Sequence, residues 1–264
     1  MKSIRLIHNL PRCGGTIISK CLGAQKDVIL LSEIHPEGVA VSKKMGVSHI
    51  FDPLHQFQKW NNLFENNEYE KICNSSYNFE EKIDLIYKKT ELTNKRLIIR
   101  DWAFIDFFGK PFVEPSYKNS LAEALNKKFE ILSLYIIRHP LELFISCYNY
   151  LDFFKYYDFN FFLKGYRNFF LNTSNNNIFT YENFLLEPEK NLKKMCGILK
   201  VDYEDNYLSK LKDINLTGDP KAKNSLKIQN KENIAEKLFK KDELDKINKN
   251  SEFLNLMQDL KDYY

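Results

Sequence analysis

Three groups of residues in this 264-residue chain have the types and spacing for chemistry on an anion. The first is the turn Pro11, Arg12, Cys13, Gly14, Gly15, Thr16, with Ile17 opening an apolar stretch behind it. Gly14 and Gly15 let the backbone turn where a side chain would clash, so its amides point inward. Amides at a helix N-terminus carry partial positive charge, and Arg12 adds a full one with several donors, which suits a phosphate or sulfate. A strand-to-helix turn also uses glycine for geometry alone, so the pair by itself leaves both readings open. The second group is Arg138 and Ser146, eight positions apart with Pro140 between them. Proline suits the first turn of a helix, so an arginine at a strand end and a serine about two turns into the helix can meet at one anion. The third group, Glu33, His35 and Asp101, lies just beyond apolar runs. A carboxylate or histidine there can take a proton from a hydroxyl or amine. Equally, Asp101 and Arg100 can pair with neighbours, and His35 can be a loop histidine held by local hydrogen bonds.

The elements that must position these groups follow from periodicity. Ile4–His8 reads as a strand, and Ile17, Ile18, Cys21 and Leu22 fall at helical spacing before Gly23. Val28–Leu31 is a buried strand that delivers Glu33 and His35 at its end. From Ser48 to Thr93 the chain predicts helices and loops, with Asn78 and Glu81 as a capping box. Lys95–Asp101 predicts a strand, followed by an aromatic segment, Trp102 to Phe108, expected as a site edge or lid. A short helix, Leu121–Leu125, precedes the strand Phe129–Ile137 and a helix with Leu141, Phe144, Ile145 and Tyr148 on its apolar face. Asn177–Leu185 predicts a strand, and the helix after it places Leu192, Met195, Cys196 and Leu199 on the sheet. This alternation predicts an α/β fold, a central parallel sheet flanked by helices, in one domain over residues 1–264. In such sheets the strand C-termini face the ligand. From about residue 205 the chain is rich in Lys and Asn, with helical patches at 234–244 and 253–260.

Composition narrows the function. Hydrophobic residues make up 44%, enough for a sizeable core. The net charge of +4 is mild and no block of like charges resembles a nucleic-acid arm, so a basic site must be local. Five widely spaced cysteines in mostly apolar surroundings predict reduced thiols in a cytoplasmic protein. No CxxC or histidine cluster points to a metal. No signal-peptide succession opens the chain and no apolar run reaches about 18 residues, so a soluble protein is expected.

The first group resembles the 5′-phosphosulfate loop of sulfotransferases that use 3′-phosphoadenosine 5′-phosphosulfate (PAPS), written Pro, Lys or Arg, Ser, Gly, Thr, Thr. Pro11, Arg12, Gly14 and Thr16 match, while Cys13 and Gly15 replace two hydroxyl donors whose work passes to backbone amides. The second group is similar to that family's 3′-phosphate segment, where a strand ends in Arg, any residue, Pro, with a serine eight positions after the arginine. Arg138, Pro140 and Ser146, with the aromatic Tyr148, keep this spacing. Tyr181-Glu182-Asn183-Phe184 resembles the family's Tyr, Glu, Asp, Leu phrase, whose tyrosine approaches the adenine.

The resemblance implies a P-loop-like fold, PAPS as cofactor with PAP as product, and a hydroxyl or amine acceptor on a glycan, lipid or small molecule. It implies nucleotide contacts from Arg12, Cys13, Gly14, Gly15, Thr16, Ile17, Arg138, Ser146 and Tyr181. It assigns chemistry to Arg12 and, by rough register with the family's catalytic histidine, to Asp101, with Glu33 as a second carboxylate. Thr217 to Lys223 corresponds loosely to a basic loop over the 3′-phosphate. Two alternatives remain: a protein that binds PAP or PAPS without turnover, and a P-loop kinase, which the absence of GxxxxGK[ST] disfavours.

Overall fold

Five parallel strands form one sheet in the order β2-β3-β1-β4-β5 in the computed structural model. They are β1 (Ser3–Asn9), β2 (Val28–Ile34), β3 (Arg96–Asp101), β4 (Glu130–Ile137) and β5 (Ile178–Thr180). The helices, in chain order, are α1 (Gly15–Gly23), α2 (Gly38–Lys44), α3 (Pro53–Asn61), α4 (Asn66–Cys73), α5 (Phe79–Leu92), α6 (Phe104–Phe107), α7 (Ser120–Leu125), α8 (Pro140–Tyr150), α9 (Phe159–Leu171), α10 (Tyr181–Leu186) and α11 (Pro188–Leu199). Two further helices span Lys241–Asn248 and Ser251–Asp259. The structure describes residues 2–47, 50–173, 177–218 and 241–264, without the side chains of 241–244. Residues 219–223 of the expected basic loop and 234–240 of the expected helical patch lie outside the described residues.

The strands are buried on both faces, which is why they read as nearly continuous apolar runs. Side chains alternate across the sheet. Ile4, Leu6, Ile29, Leu31, Leu97 and Ile99 pack with α3, α5 and α7 on one face. Ile7, Leu30, Ile98, Leu134 and Ile136 pack with α1, α8, α9, α11 and Ser251–Asp259 on the other. From β1 the chain goes to β2 on one side, and from β4 to β5 on the other. The crevice outside the C-terminal ends of β1 and β4 is therefore the place where such a sheet admits a ligand.

Most expected elements form where periodicity put them, including the Asn78–Glu81 capping box. Three expectations are corrected. The aromatic segment after β3 is core, not lid: Trp102, Phe104, Phe107 and Phe108 are buried, Trp102 stacks on Phe51 at 4.0 Å and Phe108 on Phe162 at 5.5 Å. β5 is only three residues long, because Thr180 Oγ1 accepts from the Asn183 amide at 3.1 Å and starts α10 at Tyr181. Tyr148 is 46% exposed instead of joining the buried face of α8. Among the described residues no helix is long and apolar enough to cross a membrane.

Asp106 organises the return from this aromatic segment. Its carboxylate accepts from Ser116 Oγ at 2.5 Å, Ser120 Oγ at 2.6 Å and the Ser120 amide at 3.0 Å, and faces His35 Nε2 at 3.2 Å. Burial alone raises the Asp106 carboxyl pKa, but His35 and the serine hydroxyls outweigh it and hold the group below its usual value. A depressed folded-state pKa contributes stability that is complete above the unfolded value of about 4 and is lost as pH falls through the folded value. Asp106→Ala should lower stability by about 3 kcal/mol, because buried partners lose their carboxylate. Asp106→Asn should flatten the acid limb of the stability profile, and urea unfolding of the three proteins between pH 3 and 7 measures both effects.

Candidate active site

β1 ends at Asn9, and the chain turns through Leu10–Gly14 into α1. The turn is tight: Arg12 has φ 66° and Gly14 φ 79°, both in the left-handed region. Strain at a non-glycine residue persists where its surroundings over-determine it, commonly at binding sites. Gly14 sits at the N-cap of α1, makes no side-chain cap, and is followed by a first turn with no acidic residue. The amides at this helix start are thus directed at the crevice with no carboxylate of their own element to answer them. A Cβ on Gly14 would lie 2.1 Å from Cδ2 of Tyr181, and one on Gly15 would lie 2.3 Å from Asn9 Oδ1. Glycine is needed at both positions because side chains from the loop and α10 press against it. Cys13 is fully buried, and burial pushes its thiol pKa far up, so it adds no negative charge to the cradle.

The two anion motifs meet directly. Arg12 Nε donates to Ser146 Oγ at 3.3 Å, and Arg138 Nη1 donates to the Arg12 carbonyl at 3.3 Å. The Arg12 guanidinium also lies over the Tyr150 ring, 4.5 Å from its centroid. Arg138 is 5% exposed, with Nη2 3.3 Å from Glu142 and its guanidinium 5.4 Å from the centroid of Tyr181. Ser146 therefore reaches Arg12 in this structure, although the spacing pointed to a shared anion with Arg138. Tyr181, expected on a strand, occupies the first position of α10, where its ring covers Gly14.

On the β2–β3 side the centre is Arg100. Its Nη1 donates to Thr16 Oγ1 at 3.2 Å, and its Nη2 donates to the Thr217 carbonyl and pairs with Glu33 Oε1, each at 3.2 Å. Burial lowers the Arg100 pKa and Glu33 opposes that shift. Glu33 has φ 56°, next to the register shift between Ser32 and Ile34, and its side chain is 22% exposed. The bulge turns Glu33 toward α1 instead of along the strand. Thr217 is anchored by Ser32: the hydroxyls are 2.9 Å apart, and the Thr217 amide donates to Ser32 Oγ at 3.2 Å.

Asp101 lies elsewhere. Alternation carries it to the sheet face of Leu97 and Ile99, where its Oδ2 is 2.8 Å from His8 Nδ1 and its side chain is 1% exposed. His8 also contacts Ser133 Oγ at 3.3 Å and stacks on Tyr135 at 4.9 Å. His35 is likewise buried, accepting from the Glu37 amide at Nδ1 and facing Asp106. The structure thus gathers Arg12, Cys13, Gly14, Gly15, Thr16, Ile17, Arg138, Ser146, Tyr181 and Glu33 around one crevice, and leaves Asp101 and His35 in buried pairs. Arg100, Tyr150 and Thr217 are the members whose place here was not read from sequence. For Arg100 the signal was present, since period-2 alternation along β3 puts it on the α1 face whenever Asp101 is on the other.

No protein-family model and no curated protein matches the chain by sequence. Solved structures do. The sulfotransferase domain of the Synechococcus PCC 7002 olefin synthase aligns with a TM-score of 0.62 at 18% identity, covering 87% of this chain and 86% of that one. The sulfotransferase domain from the curacin biosynthetic pathway aligns at 0.63 with 15% identity, covering 99% and 98%. Mouse sulfotransferase SULT7A1, complexed with PAP, aligns at 0.53 with 12% identity, covering 100% and 90%. At such identities the likeness shows the fold: this chain has the sulfotransferase fold.

The contact between Gly14 and Tyr181 is open to direct measurement. Gly14→Ala should lower stability by about 2 kcal/mol or more, from left-handed strain plus the clash. In a Tyr181→Ala background the same substitution should cost only the strain, about 1 kcal/mol. Urea unfolding of the double-mutant cycle gives the difference, and equal costs in both backgrounds would show that the ring does not press on the loop.

Proposed function

We propose that this protein is a PAPS-dependent sulfotransferase that transfers a sulfuryl group to a hydroxyl or amine. The observation that carries the reading is the direct contact of the Arg12 loop with the Arg138–Ser146 segment, two anion motifs far apart in sequence and joined at one crevice. The residues fit a nucleotide with phosphates at both ends: uncapped amides at α1 for one end, Arg138 and Ser146 for the other, and the Tyr181 ring between them. PAPS, when bound, supplies an activated sulfuryl group and leaves as PAP.

The chain's own residues then have distinct tasks. The amides from Gly14 to Ile17 and the guanidinium of Arg12 hold the 5′ end and neutralise charge on the bridging oxygen, where positioning and electrostatics dominate. Arg138 and Ser146 take the 3′-phosphate as charge-assisted partners. Glu33 is assigned the acceptor's proton, because it is the partly exposed carboxylate of the crevice whereas Asp101 is already engaged by His8. Arg100 holds Glu33 in place and adds positive charge beside Thr16. The acceptor is assigned only as a hydroxyl or amine compound, a carbohydrate included.

Binding and chemistry are tested separately. PAP at a hundred times its Kd should stabilise the protein by about 2.7 kcal/mol, seen as a rise in Tm, while ATP with magnesium should do little. An equal shift with ATP would favour a kinase. With labelled PAPS and a panel of hydroxylated and amine acceptors, Glu33→Gln should reduce turnover by about two orders of magnitude, with PAP affinity changed only a few-fold. If Asp101→Asn abolished turnover and Glu33→Gln did not, the proton would belong to Asp101. PAP binding with no transfer to any acceptor would mark a binding protein.

A further inference from the structure

We propose that Glu182 and Tyr264 form a latch that positions Arg138, and with it the 3′-phosphate selectivity of the nucleotide site; this rests on the nucleotide reading above. The backbone that carries Arg138 out of β4 is exposed to two demands. The Arg138 carbonyl and the His139 amide leave the strand ladder, and α8 begins at Pro140 with no side-chain cap. Both groups are satisfied from other elements. Tyr166 Oη of α9 donates to the Arg138 carbonyl at 2.8 Å, and the His139 amide donates to Glu182 Oε1 of α10 at 3.0 Å. The second oxygen of Glu182 accepts from Tyr264 Oη at 3.1 Å. The Tyr264 ring meets the His139 ring edge-on, with centroids 5.3 Å apart at 84°.

Tyr264 comes from outside the sheet. Phe253, Leu256 and Leu260, in and just after the helix Ser251–Asp259, are buried in the core, and Asp259 pairs with Arg167 of α9 at 2.9 Å. Tyr263 packs edge-on against Phe170. These contacts deliver the Tyr264 hydroxyl to Glu182, and burial raises its pKa far enough to keep it a donor. His139 is pulled down by burial, which favours its neutral form.

The arrangement sets a charge as well as a position. Glu182 follows Tyr181, whose ring lies 5.4 Å from the Arg138 guanidinium. A carboxylate so placed competes with a phosphate for that arginine. Neutral donors on both its oxygens keep Glu182 turned to the backbone, so Arg138 is held in place without being neutralised by it.

Calorimetry with PAP and with adenosine 5′-phosphosulfate, which lacks the 3′-phosphate, tests the latch on the full chain. Tyr264→Phe and Glu182→Ala should each weaken PAP about tenfold and adenosine 5′-phosphosulfate less than about twofold. Glu182→Gln, which keeps an acceptor for His139 and a partner for Tyr264, should recover PAP affinity to within about twofold of the parent. A second readout needs no nucleotide: amide exchange at residues 137–141 should accelerate in Tyr264→Phe while residues 4–22 keep their protection. Equal losses for the two nucleotides, or unchanged exchange at 137–141, would overturn the latch. If the parent protein bound neither nucleotide, the nucleotide reading would fall, and the exchange result alone would then decide whether the latch exists.

Discussion

The start of α1 imposes the constraint on which the rest depends. A helix leaves its first amides without intrahelical acceptors, and here neither a side-chain cap nor a first-turn carboxylate answers them. Around that helix start the fold collects three guanidinium groups, Arg12, Arg100 and Arg138, the last two almost wholly buried. Gathering this much positive character at one crevice costs desolvation and mutual repulsion. Glu33, Glu142 and the ring faces of Tyr150 and Tyr181 offset part of it. An anion with two charged ends completes the balance, and that is the physical content of the nucleotide assignment.

The parallel sheet makes the gathering possible. β1 and β4 are neighbours whose C-terminal ends release the Arg12 loop and the Arg138 loop on the same edge, so motifs distant in sequence become adjacent in space. β3 places Arg100 on the α1 face, and the bulge at Ser32–Ile34 brings Glu33 to meet it. α10 then closes the arrangement by laying Tyr181 over Gly14. Each contributor comes from a strand end or from the first turn of the helix after it. The same edge of the sheet thus sets both the charge and the shape of the site.

Much of this was legible in the chain. The apolar runs, the Pro140 helix start and the Gly14–Gly15 turn rest on local physics, and each formed where the pattern placed it. The spacing from Arg138 to Ser146 correctly put both residues at the crevice. It did not show that Ser146 would hydrogen-bond Arg12, because that contact depends on how two distant loops pack. Asp101 was read from a register with relatives rather than from its own strand, where alternation with Leu97 and Ile99 assigns it to the opposite face and to His8. The aromatic segment after β3 has no amphipathic period because it is enclosed on all sides, a condition that polarity patterns alone do not separate from a lid. Tyr264 lies more than a hundred residues from Arg138, and no local pattern announces its contact with Glu182.

The central claim is that the two anion motifs serve one nucleotide, and the most direct measurement is a crystal structure of the protein with PAP. The account predicts the 5′-phosphate on the amides of Gly14 to Ile17, the 3′-phosphate within hydrogen-bond reach of Arg138 and Ser146, and the adenine against Tyr181. A 3′-phosphate turned to solvent, or PAP bound away from the start of α1, would contradict it.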